Sequence, residues 1–116
     1  VIPKFIFKFE ETINWQSIKS NTKLQLYRIV QESVFNCIKH AKATQCTISF
    51  SKTPIAILLT IIDDGRGLGE NKKTKGMGLK NIKERTKSIV GKIKIESKIN
   101  KGTAIYITIP MEENTN

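Results

Sequence analysis

Cysteine is scarce in this chain, with two residues in 116, and Cys37 and Cys46 match no zinc-ligand or redox spacing. One falls in a helical pattern and the other in a strand pattern, so they read as two reduced, half-buried thiols of a cytoplasmic protein. No apolar run approaches the ~20 residues needed to cross a bilayer. No charged start leads into an apolar leader segment, and the first residue is Val, so the chain is expected to be a piece of a longer protein. Its length and 39% hydrophobic content suit one domain over residues 1–116. No repeats or low-complexity segments interrupt it.

Carboxylates are also few: ten Asp and Glu stand against twenty Lys and Arg, a net charge of +10. The excess gathers in residues 70–101, which hold eleven Lys or Arg and three Glu. Such a surface attracts polyanions, whether nucleic acid, an acidic membrane face, an acidic protein or nucleotide phosphates, and a plain solvated face fits equally. Aromatics are sparse at 7%. With no recognition helix, zinc finger or strand of exposed stacking aromatics, direct nucleic-acid binding is not expected.

Phe5, Phe7 and Phe9 alternate with Ile6 and Lys8, which predicts an opening strand with one buried face. Ser20 and Asn21 are good N-caps, and an apolar stripe from Leu26 through Ile29 or Val30, Val34 and Cys37 or Ile38 to Ala41 predicts a helix of about five turns. Cys46, Ile48 and Phe50 alternate as a strand, and the run 55–62 is apolar on both faces, as a central strand would be. A polar loop leads to a second helix from about Gly78 to Ile89, ending before Gly91, and a closing hairpin turns at 99–102. The expected fold is α+β, two layers, with helices on one face of a mixed sheet.

Three groups of residues carry chemistry. Glu32, Asn36 and His40 are four apart and share one helix face, with Lys39 adjoining. An amphipathic helix whose polar side happens to carry them is one reading. The other is a site, because polar atoms set beside an apolar stripe cost roughly 1–3 kcal/mol each when buried without partners. An Asn oxygen is a hard neutral ligand for Mg²⁺, Lys39 and His40 can face phosphates, and Glu32 can orient or deprotonate an attacking group. Asp63 ends the central strand and can accept a hydrogen bond from the amine of adenine, while Gly65 and Gly67 let backbone approach the base. Gly76 and Gly78 precede a helix N-terminus, where backbone N–H groups can cradle phosphate. No Gly-Lys-Ser/Thr follows them, which excludes a Walker loop, and a dinucleotide fingerprint lacks its third glycine and its strand.

The order of these groups resembles the ATP-binding domains of sensor histidine kinases, type II topoisomerases, heat-shock chaperone ATPases and mismatch-repair ATPases, which share the Bergerat fold. Residues 26–41 look like the N box, Asp63 to Gly67 like the G1 box, Gly76 to Leu79 like the G2 box, and Gly102-Thr103 like the final Gly-Thr element. The likeness spans residues 24–110. Tyr-Arg-Ile-Val-Gln-Glu before Ser33, the short lid, and Gly-Leu-Lys-Asn-Ile-Lys-Glu-Arg after it are most similar to two-component kinases that pair with helix-turn-helix response regulators.

The resemblance implies that Asp63 contacts adenine with support from Thr103, that Asn36 binds Mg²⁺, that Lys39 and His40 face the phosphates, that 68–78 form an ATP lid, and that Gly76, Gly78 and Leu79 of the G2 box bind the cofactor. Glu32 corresponds to the hydrolytic base of the chaperone and topoisomerase members, a role a kinase need not use. His40 is not expected to be the phosphoacceptor, since a residue alongside the phosphates is not in line for attack. The implied activity is transfer of the γ-phosphoryl group of Mg·ATP to a histidine on a separate dimerisation domain. The implied partners are that domain and a response regulator. The intact protein would be a cytoplasmic or inner-membrane-anchored homodimer, and the isolated domain a monomer that phosphorylates nothing by itself. The alternatives are an anti-sigma-factor-type serine kinase and a non-catalytic basic module that grips nucleic acid or an acidic protein. Asp64, out of register with the two glycines, is expected to be replaceable.

Overall fold

The alternation that opens the chain becomes β1 (Lys4–Phe9) in the computed structural model, which describes residues 2–67 and 79–111, the side chains of His40 and Ala41 excepted. A 3-10 turn at Trp15–Ser17 follows, capped by Asn14, whose Oδ1 accepts from Gln16 N at 3.2 Å. Helix α1 spans Ser20–Asn36 and passes directly into a π-helical turn, Cys37–Ala41. Then come β2 (Gln45–Lys52), β3 (Ala56–Asp63), α2 (Leu79–Ser88), β4 (Lys92–Lys98) and β5 (Gly102–Pro110).

The strand order is β1-β2-β3-β5-β4, with β1 parallel to β2 and the other pairs antiparallel. Alternate residues of the inner strands, among them Ile48, Ile57, Leu59, Ile105 and Ile107, are buried against Leu26 and Ile29 of α1 and Ile82 of α2. The fold is therefore α+β and two-layered, a mostly antiparallel mixed sheet with its helices on one face. Each fully buried Ile or Leu contributes roughly 1.5–3 kcal/mol. That packing, more than the intrinsic propensity of α1, holds the helices in place.

Three details depart from expectation. Ser20 and Asn21 lie inside α1 instead of capping it: Lys19 holds the cap position, and Asn21 Oδ1 accepts from Gln25 Nε2 at 3.4 Å. Gln25 in turn accepts from Arg85 Nη1 at 3.1 Å, which ties α1 to α2. At the end of α2 the left-handed position falls on Val90 (φ 59°), not on Gly91. Gly91 is needed one residue later, because a Cβ there would stand 2.8 Å from Thr86 Cγ2. Finally, β1 buries only part of its expected face: Phe5 packs on the core, whereas Phe7 and Phe9 are half exposed.

Candidate functional site

The residues singled out upstream and downstream meet at one end of the sheet. Cys46 of β2 and Thr103 of β5 are the register partners of Asp63, the last residue of β3. The thiols of Cys37 and Cys46 interact, so the end of α1 that carries Asn36 lies over the strand end that carries Asp63. The two cysteines are fully buried, where half-buried thiols were expected. Their mutual hydrogen bond lowers Cys37 and raises Cys46, with burial adding to the rise of Cys46.

Asp63 is half-buried on the helix-covered face. Its Oδ1 accepts from Gly65 N at 2.9 Å. Burial pushes its carboxyl above the usual range, and hydrogen bonds from the backbone N–H groups of Gly65 and Thr103 offset part of that rise. A carboxylate held in this way keeps acceptor capacity for an outside donor. The hydroxyl of Thr103 lies 3.0 Å from that of Ser97, which brings β4 into the same corner. A solvent-open hollow of about 660 Å³ wraps this end of the sheet, lined by Asp63, Ser97 and Thr103 and also by Ile62, Glu96 and Ala104 of the opposite face.

The glycines allow the corner to close. A Cβ on Gly102 (φ 96°) would fall 2.0 Å from the Asp63 carbonyl oxygen, and one on Gly67 (φ 74°) would fall 2.3 Å from that of Lys98. β5 can therefore abut Asp63 only with glycine at 102. The loop after β3 is also braced by Asn100 N donating to Arg66 O at 2.8 Å.

Asp64, expected to be replaceable, has hydrogen-bond partners of its own. Its Oδ1 accepts from Thr44 N at 2.8 Å and Gln45 N at 2.9 Å, and Oδ2 accepts from the Thr44 hydroxyl. These bonds, led by the Thr44 hydroxyl, hold its carboxyl below the usual range. Asp64 thus ties the loop after β3 to the start of β2, while Asp63 faces the site. Thr44, Ser97 and the bracing by Asn100 carried no local sequence signal, because each acts on a residue distant along the chain.

The remaining candidates divide. Glu32 and Asn36 are half-buried and make no side-chain hydrogen bond among the described residues. Asn36 keeps α-helical backbone (φ −61°, ψ −40°), but the next turn is π-helical, so His40 is not set by an ordinary four-residue step. The side chain of His40 lies outside the described residues, as do Gly76, Gly78 and the rest of 68–78. Leu79 is buried as the first residue of α2. Lys39 is exposed, with Nζ 4.7 Å from the centre of the Phe35 ring. Such an exposed contact is worth about 0.5–1 kcal/mol, little enough for a phosphate to draw the ammonium away.

Comparisons with known proteins give a consistent result. The family described as "Histidine kinase-, DNA gyrase B-, and HSP90-like ATPase" matches residues 21–113. The signal transduction histidine-protein kinase/phosphatase DegS of Bacillus subtilis (strain 168) is 34% identical over 100 residues, covering 83% of this chain and 26% of DegS. Among solved structures, the histidine kinase domain of the blue-light activated histidine kinase EL346 of Erythrobacter litoralis superposes with a TM-score of 0.78 at 19% identity, over 95% of this chain and 52% of that one. Acinetobacter baumannii histidine kinase AdeS gives 0.75 at 16%, over 97% and 56%. The chain thus spans about a quarter of DegS and about half of the two solved chains.

Proposed function

Because this chain belongs to the histidine kinase-, DNA gyrase B- and HSP90-like ATPase family, we propose that it is the catalytic domain of a sensor histidine kinase, binding Mg·ATP and presenting the γ-phosphate to a histidine of a dimerisation domain. The observation that carries this reading is Asp63: a half-buried carboxylate with spare acceptor capacity, beneath the helix end that bears Asn36. Asp63 accepts the hydrogen bond of the adenine amine, and Thr103 N–H keeps its carboxylate in place. Gly65 and Gly67 allow the base to approach backbone.

The donor set suits a phosphate-bound magnesium ion. Among the described residues no group of three His, Cys, Asp or Glu could enclose a metal, whereas Asn36 offers one neutral oxygen, and Mg²⁺ ordinarily completes its shell with water and phosphate oxygens. When bound there it would supply charge neutralisation to the phosphates. Lys39 and His40 complement that charge, Gly76 and Gly78 serve the phosphates as the resemblance implies, and Leu79 N opens α2. Glu32 holds or orients groups at the phosphate end. Catalysis in this reading is mostly positioning, as expected for phosphoryl transfer with little covalent work for the protein. The acceptor-histidine domain and a response regulator are the partners, and the domain works on the cytoplasmic side.

Titration of ATP with and without Mg²⁺, followed by mixing with an acceptor-histidine domain and labelled ATP, tests the proposal. The expected result is Mg²⁺-dependent transfer that is lost in Asn36→Ala, survives in His40→Gln and gives an acid-labile product. An acid-stable phosphoserine would indicate the anti-sigma-factor-type kinase instead. Absence of ATP binding together with steeply salt-dependent binding to a nucleic-acid duplex would make the chain a basic binding module.

A further inference from the structure

Asp64 stands at the junction between the two ends of the proposed nucleotide site. Asn36 closes α1, the π-helical turn Cys37–Ala41 carries Lys39 and His40, and only residues 42–44 separate that turn from β2. Such turns are rare, and Lys42 directly after it holds a left-handed conformation (φ 49°, ψ 40°) without being glycine. Both features persist only where the surroundings fix the ends of the segment.

The near end is fixed by Cys37, which is buried against Cys46. At the far end the anchor is Thr44. Its N–H donates to Asp64 Oδ1 at 2.8 Å and its hydroxyl donates to Asp64 Oδ2, while Gln45 N donates to the same Oδ1 at 2.9 Å. The Thr44 carbonyl accepts from Lys4 N at 2.9 Å, and Ala43 before it is buried but offers only a methyl group. One side chain, that of Asp64, therefore supplies most of the hold on this link.

The adenine end is held by other bonds. Asp63 Oδ1 accepts from Gly65 N at 2.9 Å, Asp63 pairs with Thr103 across β3 and β5, and the loop beyond is braced by Asn100 N donating to Arg66 O at 2.8 Å. None of these passes through the Asp64 side chain. Truncating Asp64 frees the 42–44 link and leaves Asp63 where it is.

We propose that Asp64 is a positioning residue for nucleotide binding: through Thr44 it fixes the turn that bears Lys39 and His40 at the phosphate end, while Asp63 serves the adenine end without it. The inference rests on the functional reading above and gives the second carboxylate of the pair a use besides stability. The clamp does not need the charge. In Asp64→Asn the side-chain oxygen still accepts from Thr44 N and Gln45 N, and the amide N–H donates to the Thr44 hydroxyl oxygen, whereas Asp64→Ala removes all of these bonds.

Titration of the chain with Mg·ATP and, separately, with adenosine reads the two ends. The expected result is that Asp64→Ala binds Mg·ATP at least tenfold more weakly than wild type but adenosine within threefold, and that Asp64→Asn stays within threefold of wild type for both. In the free chain, the amide resonances of residues 37–42 move in Asp64→Ala and hold their positions in Asp64→Asn, with circular dichroism checking that both variants are folded. A loss of stability alone would weaken the two ligands alike, because it lowers the folded fraction that either one binds. Equal weakening of both ligands, unchanged Mg·ATP affinity in Asp64→Ala, unmoved amides at 37–42, or an Asp64→Asn variant as weak as Asp64→Ala would each overturn the proposal, the last by making charge the cause. A wild-type chain that binds neither ligand would overturn the functional reading itself, and this inference with it.

Discussion

Replacing Asp63 by Asn separates its cost to the fold from its use in the site. The carboxyl lies above its ordinary range because it is buried, so folding penalises its charged form more than its protonated one. The associated stabilisation is fully present below the ordinary carboxylate range and is lost as pH rises through the raised folded value. At neutral pH the wild type therefore carries an opposed charge that Asn lacks. Asn retains an oxygen to accept from Gly65 N, now 2.9 Å from Asp63 Oδ1, and loses at most one neutral-strength hydrogen bond, about 0.5–1.5 kcal/mol. We expect the unfolding free energy at pH 7 to stay within about 1.5 kcal/mol of wild type, with the variant gaining relative to wild type as pH rises above the ordinary carboxylate value. ATP affinity should fall roughly ten- to hundredfold, the equivalent of the ~1.5–3 kcal/mol of a hydrogen bond to a charged acceptor. Urea unfolding across pH and calorimetric titration of ATP read the two effects separately. Equal affinity would refute the adenine contact, and a stability loss above about 2 kcal/mol that grows with pH would make the carboxylate structural.

Asp64→Ala should cost about 1 kcal/mol, less than its three bonds to Thr44 and Gln45 would suggest, because the group is exposed and screened. Its carboxyl is held below the usual range, so that contribution is present above the ordinary carboxylate value and fades as pH falls through the lowered one; the urea midpoints of wild type and variant should converge in acid. Gly102→Ala should lose more than about 2 kcal/mol in thermal unfolding, since its Cβ would meet the Asp63 carbonyl at φ 96°. Val90→Asn should raise stability by about 0.5–1 kcal/mol and the melting midpoint by a few degrees, because Val90 is exposed and holds a left-handed conformation that Asn tolerates.

Periodicity made the layers legible. The two-sided run 55–62 does become the central strand, and the stripe through Leu26 and Ile29 does face the core, because burial of a face leaves its period in the sequence. Local caps were less readable: Ser20 and Asn21 have the chemistry of N-caps, yet the helix begins at Ser20, the 3-10 turn having taken the preceding residues. Val90 in the left-handed position was hidden because a glycine stood beside it. In the site, Asp63 was distinguished from Asp64 by register with the glycines, and the strand pairing sends the two side chains to different tasks. What Asp64 does is set by Thr44, twenty residues away, and proximity of that kind arises only once β2 and β3 pair. Phe7 and Phe9 have the alternation of a buried face, but a strand's neighbours decide whether that face is covered, and β1 stands at the edge.

Backbone NMR of the ¹⁵N-labelled chain during addition of Mg·ATP tests the central claim most directly. Binding between the end of α1 and the ends of β3 and β5 predicts saturable amide shifts at Asn36, Asp63, Gly65 and Thr103, with Phe9 and Tyr27 unmoved. Shifts that are absent, or confined to the basic hairpin of residues 92–101, would contradict it and leave only charge attraction between the chain and phosphate.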